Sequence, residues 1–223
     1  SPIRTTAATA APAARAYRTE RSERAAAATA PRAPRDTPER PIEKVGVIGA
    51  GTMGGGISMN FANVGIPVTI VETKQEALDR GFGVIRKNYE RSASRGRFPV
   101  EEVDVRMGRL TESLDMQDLA SCDLIIEAVF EDMELKKSIF KRLDEIAKPG
   151  AILATNTSSI SITKIAAATE RPESVIGMHF MNPVPLMKLV EVIRGIATSQ
   201  ETFQTTWDMA LRFEKTPAEA NDF

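Results

Sequence analysis

The stretch KVGVIGAGTMGGGISMNFANVGIPVTIVE, residues 44–72, constrains the fold of this chain more than any other. Lys44 to Ile48 is a short apolar β run. Gly49, Ala50, Gly51, Thr52, Met53 and Gly54 fit the pattern G-x-G-x-x-G. Ile57 to Val64 reads as a helix stopped by Gly65, and Pro67 to Val71 reads as a second apolar strand ending at Glu72. Strand, glycine turn, helix, strand and acid within about 30 residues make up a dinucleotide-binding unit. Gly49 permits the tight turn, Gly51 lets the backbone approach a pyrophosphate, and Gly54 lets the helix pack close to its strand. The helix N-terminus offers free N–H groups and a partial positive charge to phosphates. A carboxylate at Glu72 can accept hydrogen bonds from both ribose hydroxyls of adenosine and would repel a 2′-phosphate. NAD is therefore favoured over NADP, although Lys74 and Arg80 follow close behind. A glycine-rich turn with no ligand is the bland alternative, and the flanking strand, helix and acid argue against it.

Beyond this unit the pattern keeps alternating. Residues 74–98 are charged and helical in pattern, with Leu78, Phe82, Ile85 and Tyr89 on one face. DLIIEAVFE is a continuous apolar run suited to a buried parallel strand. DMELKKSIFKRLDEIAKPG is an amphipathic helix ended by Pro149 and Gly150. AILATNTSS is another buried strand, SITKIAAAT a short helix, SVIGMHF and MKLVEVI two further strands, and QETFQTTWDMALRFEK a closing helix. The alternation predicts an α/β domain over residues 42–223, a doubly wound parallel sheet. Ligands of such sheets sit at the carboxyl ends of the strands. That rule gathers Glu72, Glu131, Asn156, Thr157, Ser158, His179 and Asn182 into one crevice.

Residues 1–41 differ from the rest. They hold eight of the 29 Lys and Arg residues and four of the 30 Asp and Glu residues, which leaves 21 basic and 26 acidic residues after them, a net of −5. Rich in Ala, Thr, Ser and Pro, this segment has little apolar bulk to offset the entropy of ordering and is expected to be disordered. Its arginines and scarcity of acids read as an organelle transit segment, a mitochondrial location first with plastid, peroxisome or cytoplasm as alternatives, and a plain Ala/Pro tail as the competing reading. The formal net charge of the whole chain, −1, gives no support to nucleic-acid binding or a membrane surface. Cys122 stands alone, so neither an internal disulfide nor a multi-cysteine metal site is expected. No run of 18 apolar residues is present to span a membrane.

Oxidising an alcohol at a dinucleotide site releases a proton with the hydride, and the proton needs a base that titrates near neutrality. His179 is the only histidine. Glu191, twelve residues on across a Pro-x-Pro turn, could face it and hold its imidazole, as a carboxylate does in a catalytic triad. An acid inside KLVEVI is costly unless paired. Without the nucleotide-binding sheet, His179 would read as a core histidine and Glu191 as a surface residue on an edge strand. Ser158 and Asn182 offer a hydroxyl and an amide to a substrate oxygen or the nicotinamide, or else serve only as turn residues.

Together with the glycine turn, EAVFED, NTSSISIT and HFMNPVPLMKLVEVIRG resemble the L-3-hydroxyacyl-CoA dehydrogenases over residues 42–223, and within that family the monofunctional 3-hydroxybutyryl-CoA dehydrogenases. The Asn182 of NPVP is part of that likeness, since the multifunctional β-oxidation proteins more often carry serine there. The resemblance implies His179 as catalytic acid and base, with Glu191 as its partner. It implies Ser158 at the substrate 3-oxygen and cofactor, and Glu131, Lys136 and Asn182 lining the NAD and substrate cleft. Asn88 and Arg95 fall where the family contacts coenzyme A, seven apart on one predicted helix face. The family also carries a second, helical domain that forms a homodimer and closes over the acyl chain. This sequence ends before that segment, so a chain that binds NAD without turning over substrate is an alternative expectation, as is a related dehydrogenase of another hydroxy acid.

Overall fold

The computed structural model describes residues 37–220 and Asp222. The expected transit segment lies outside the described residues except at its end, where Arg40 makes contacts with the folded domain. The Arg40 guanidinium donates to Gly150 O at 3.1 Å and pairs with Glu201 at 3.1 Å, and its backbone N–H donates to Thr205 Oγ1 at 3.0 Å. Ile42 is buried. One arginine with several partners holds a segment that apolar bulk alone could not.

In chain order the elements are β1 (Val45–Ile48), α1 (Thr52–Asn63), β2 (Val68–Val71), α2 (Gln75–Ser94), α3 (Glu101–Met107), β3 (Leu110–Ser113) and β4 (Leu124–Glu127). They continue with α4 (Met133–Ile146), β5 (Ile152–Thr155), α5 (Ile162–Ala166), β6 (Val175–Phe180), β7 (Leu189–Arg194), α6 (Gln200–Arg212) and β8 (Thr216–Ala220). One sheet runs β3-β2-β1-β4-β5-β6-β7-β8. From β3 to β6 every pairing is parallel; β7 runs antiparallel to β6, and β8 parallel to β7. The strand order reverses between β1 and β4, where doubly wound sheets open their ligand crevice.

Alternation along the strands divides the core into two layers. Leu124 and Ile126 of β4 face one way, into a cluster with Phe61 of α1, Leu78 and Ile85 of α2 and Phe203 of α6. Ile125 faces the other way, onto Phe140 and Leu143 of α4 and Ile162 and Ile165 of α5. Phe61, Phe140 and Phe203 are fully buried, each contributing roughly 1.5–3 kcal/mol of transfer free energy.

Several elements depart from the sequence reading. Helix α1 begins at Thr52, five residues before the apolar pattern starts, because tertiary packing overrides the weak helix propensity of Gly54, Gly55 and Gly56. A Cβ at Gly54 would stand 1.9 Å from Gly49 O, so the helix can lie this close to the turn only with glycine there. Helix α3 and strands β3 and β8 lacked a recognisable pattern. β8, TPAEA, contains Pro217, which an edge strand tolerates.

Candidate active site and cofactor cleft

The turn after β1 is built for a close approach. Gly49 holds φ +105°, a conformation L side chains rarely adopt, and its N–H donates to Val71 O at 2.9 Å. Gly51 is the N-cap of α1 and makes no side-chain cap, and no acid stands in the first turn. The first backbone bond of the helix runs from Gly55 N–H to Gly51 O at 2.8 Å. The N–H groups of Thr52, Met53 and Gly54 thus have no acceptor within the helix. A Cβ built on Gly51 meets nothing within 4 Å, so the turn is open on that side. Ala50, Gly51, Thr52 and Glu72 line a cavity of about 440 Å³ together with Arg80 and Asn88 of α2 and the 182–185 loop. Met53 instead packs against the core, and Gly54 is buried. An uncapped helix start suits a pyrophosphate and a carboxylate at the end of β2 suits a ribose, so these residues fit a dinucleotide.

His179 and Glu191 are direct partners in the antiparallel register of β6 and β7. Side chains opposite each other in such a ladder lie on one face within reach of each other. Here His179 Nδ1 is 2.8 Å from Glu191 Oε2, with the imidazole 18% exposed and the carboxylate 36%. An ionised carboxylate only accepts, so Nδ1 carries the hydrogen in the neutral ring and Nε2 presents a lone pair. The end of β6 is fixed from β5, where Asn156 Oδ1 accepts the Phe180 N–H at 2.8 Å. The Asn182–Pro183 peptide that follows is cis.

Glu131 gathers the loop after β5. Its Oε1 accepts the Ser158 N–H at 3.0 Å, the Ser159 N–H at 3.1 Å, and the hydroxyls of Thr157, Ser158 and Ser159. Burial acts against ionisation of this carboxyl, but the bonds from Thr157 and Ser158, with the Lys136 ammonium 3.6 Å away, outweigh it and hold its pKa below the usual carboxylate range. From the far side of the same loop, Asp222 accepts the N–H groups of Ile162 at 2.6 Å and Thr163 at 2.9 Å. Ser158, Glu191 and Asp222 line a second cavity of about 200 Å³. Among the described residues no group of three His, Cys, Asp or Glu side chains is placed to hold a metal ion.

Residues 44–223 match the sequence family described as the NAD-binding domain of 3-hydroxyacyl-CoA dehydrogenase. The chain belongs to this family. A probable 3-hydroxybutyryl-CoA dehydrogenase of Deinococcus radiodurans is 50% identical over 180 residues, covering 81% of this chain and 64% of the relative. The 3-hydroxybutyryl-CoA dehydrogenase of Clostridioides difficile is 45% identical over 179 residues, covering 80% and 64%. The crystal structure of (S)-3-hydroxybutyryl-CoA dehydrogenase from Ralstonia eutropha superposes with a TM-score of 0.80 at 38% identity, over 82% of this chain and 65% of that one. The chain thus spans somewhat less than two thirds of the length of the curated relatives it matches.

Within this 3-hydroxyacyl-CoA dehydrogenase domain, one further expected site residue stands off the cleft. Lys136, read as lining the cleft, is fully buried, its Nζ 2.8 and 2.9 Å from the two oxygens of Glu127. The carboxylate of Glu127, itself fully buried, draws the ammonium inward, because a buried charge must be paired. Arg95, read as sharing a helix face with Asn88, is the C-cap of α2 and exposed. The helix ends there because Gly96 turns to φ +72°, and of the two residues expected at coenzyme A, Asn88 lines the glycine-turn cavity. Glu127 was missed. It also accepts the Val129 N–H at 2.7 Å and the Thr155 hydroxyl at 2.7 Å. Its signal was available, since it is an acid at the last position of an apolar strand, where Glu72 stands one place beyond its own strand.

Proposed function

We propose that this chain carries the cofactor-binding and proton-handling machinery of an NAD-dependent 3-hydroxyacyl-CoA dehydrogenase, with a short-chain (S)-3-hydroxyacyl-CoA such as 3-hydroxybutyryl-CoA as substrate. The single observation that carries the reading is the 2.8 Å contact between His179 Nδ1 and Glu191, on strands whose connecting loop also walls the glycine-turn cavity. NAD, when bound, supplies the acceptor for the hydride from C3. The C3–H bond breaks with its electron pair leaving as hydride, and the 3-hydroxyl proton passes to His179 Nε2 as the C3–O bond becomes a carbonyl. Glu191 stabilises the imidazolium that forms and keeps the ring in the tautomer that can accept. In the reverse direction the imidazolium returns the proton to the 3-keto oxygen. Ser158, held at the edge of the second cavity by Glu131, offers its hydroxyl to the same oxygen.

The test pairs two measurements on one preparation: NADH consumption with acetoacetyl-CoA, and NADH binding by fluorescence. Turnover that falls about 10²–10⁴-fold in His179→Gln, with NADH affinity retained, supports the assignment. Equal turnover in wild type and variant would sink it. A second reading rests on the matched segment covering 64% of the relative's length: the segment described here binds NAD without turning over substrate by itself. NADH binding with no acetoacetyl-CoA-dependent consumption selects that reading.

A further inference from the structure

Lys215 lies between α6 and β8, outside the residues discussed so far, and only 8% of it is exposed. Buried lysines are rare unless paired with a carboxylate. Lys215 meets two carbonyls instead, donating from Nζ to Val184 O at 2.6 Å and to Met187 O at 2.7 Å. Both belong to the loop that joins β6 to β7, the two strands bearing His179 and Glu191. Leu186 and Met187 donate their N–H groups to Pro183 O at 3.0 Å, so the loop is folded on itself and turns the two carbonyls toward the ammonium. The Thr216 N–H bonds Lys188 O at 2.8 Å and fastens the loop's far end. On the opposite side, Val184 presses against α1 so closely that a Cβ on Gly56 would stand 2.7 Å from Val184 Cβ. The loop is thereby wedged between the first helix and Lys215, and Asn182, Pro183, Val184 and Pro185 form one wall of the glycine-turn cavity.

We propose that Lys215 is a positioning residue for the cofactor: by holding the carbonyls of Val184 and Met187, it fixes the cavity wall that closes against the dinucleotide. The inference rests on reading that cavity as the NAD site. Burial, and after it the neighbouring Lys188, holds the Lys215 ammonium below its ordinary pKa, so desolvation opposes the charged group here and the two carbonyls are what hold it. A lysine serving only the packing of α6 against β8 would not need donors at all. Methionine, of similar length and apolar, would fill the same space.

The experiment measures NADH affinity by fluorescence titration for wild type, Lys215→Met, Lys215→Gln and a control, Phe203→Leu. Phe203 is a fully buried residue of α6 in the core beneath the sheet and does not line the cavity, so its variant reports general destabilisation. With two charge-assisted bonds gone, Lys215→Met is expected to raise the NADH Kd about tenfold or more. Lys215→Gln, with a side chain one atom shorter that keeps a donor, falls between, and Phe203→Leu keeps wild-type affinity while losing thermal stability. In a turnover assay the loss belongs in KM for NADH and not in kcat. Should Lys215→Met not fold, Lys215→Gln against Phe203→Leu decides the matter. Wild-type affinity in the lysine variants, or an equal loss in Phe203→Leu, overturns the proposal alone. Failure of the wild type to bind NADH overturns the reading of the cavity and the proposal with it.

Discussion

Glu127 and Lys136 form an ion pair with neither side chain more than 1% exposed. A pair of this kind adds little net stability compared with apolar residues of the same shape, but removing one partner strands the other. Lys136→Met is therefore expected to destabilise the domain by about 3–5 kcal/mol, read as a fall in the urea midpoint. The double variant Glu127→Leu with Lys136→Met should recover much of that loss, and additive losses in the two would show that the pair is not coupled. Glu191 makes a different prediction, because it is partly exposed and touches the imidazole. Glu191→Gln can leave folding and NADH affinity near wild type, while kcat falls about 10²-fold or more as the ring loses its preferred tautomer and its counter-charge. Equal kcat in the variant would separate Glu191 from the reaction. These two pairs also differ in how readable they were. His179 and Glu191 lie on successive antiparallel strands, so their meeting follows from local register. Glu127 and Lys136 meet across a strand, a loop and a helix turn, and with Glu131 also within reach the sequence did not say which carboxylate the ammonium would choose.

At the level of elements, α2 crosses directly over the glycine turn, and it can do so because of one residue. A Cβ on Gly81 would lie 2.4 Å from Ala50 O and 2.8 Å from Ala50 Cβ. Gly81→Ala must push α2 off the turn that the cofactor is read to use. A loss of about 1–3 kcal/mol is expected, together with weaker NADH binding. Two residues along the same helix, a Cβ on Gly83 meets nothing within 4 Å. Gly83→Ala should instead stabilise by about 0.5–1 kcal/mol, the ordinary gain from replacing glycine in a helix. If both changes moved the urea midpoint the same way, the contact at Ala50 would not matter. The amphipathic pattern of α2 was plain in the sequence, since Leu78, Ile85 and Tyr89 recur on its buried side. Which of its two glycines bears the crossing was not, because that depends on a strand turn some thirty residues earlier. For the same reason α1 was read from Ile57: its first turn has no apolar side chains to reveal it, only a surface that tolerates none.

Across the whole sheet, part of the acid stability is set from the two ends of β4. Before the strand, Asp123 Oδ2 accepts the N–H groups of Glu43 and Lys44 at 2.9 Å, and Oδ1 pairs with Lys148 at 2.5 Å. Burial opposes its ionisation, yet Lys148 and the two N–H groups prevail and hold its pKa below the ordinary value. Beyond the strand, Glu131 is held low in the same sense by the loop it gathers. A carboxyl with a depressed folded-state pKa binds its proton more readily in the unfolded chain. Its contribution is complete above the unfolded values, about 3.9 for Asp and 4.3 for Glu, and drains away as pH falls through the lower folded ones. The urea midpoint should therefore hold steady from neutrality to about pH 5 and drop steeply below about pH 4. Asp123→Asn and Glu131→Gln should each lower the midpoint at pH 7 and flatten part of the acid limb. The strand that lies between the two sites alone spans roughly 13 Å, far enough for independent effects to add. Only Glu131→Gln should also loosen the Ser158 loop, so a matched loss of stability in the two variants with turnover impaired in Glu131→Gln alone would separate the end of the sheet that holds the fold from the end that also holds the site.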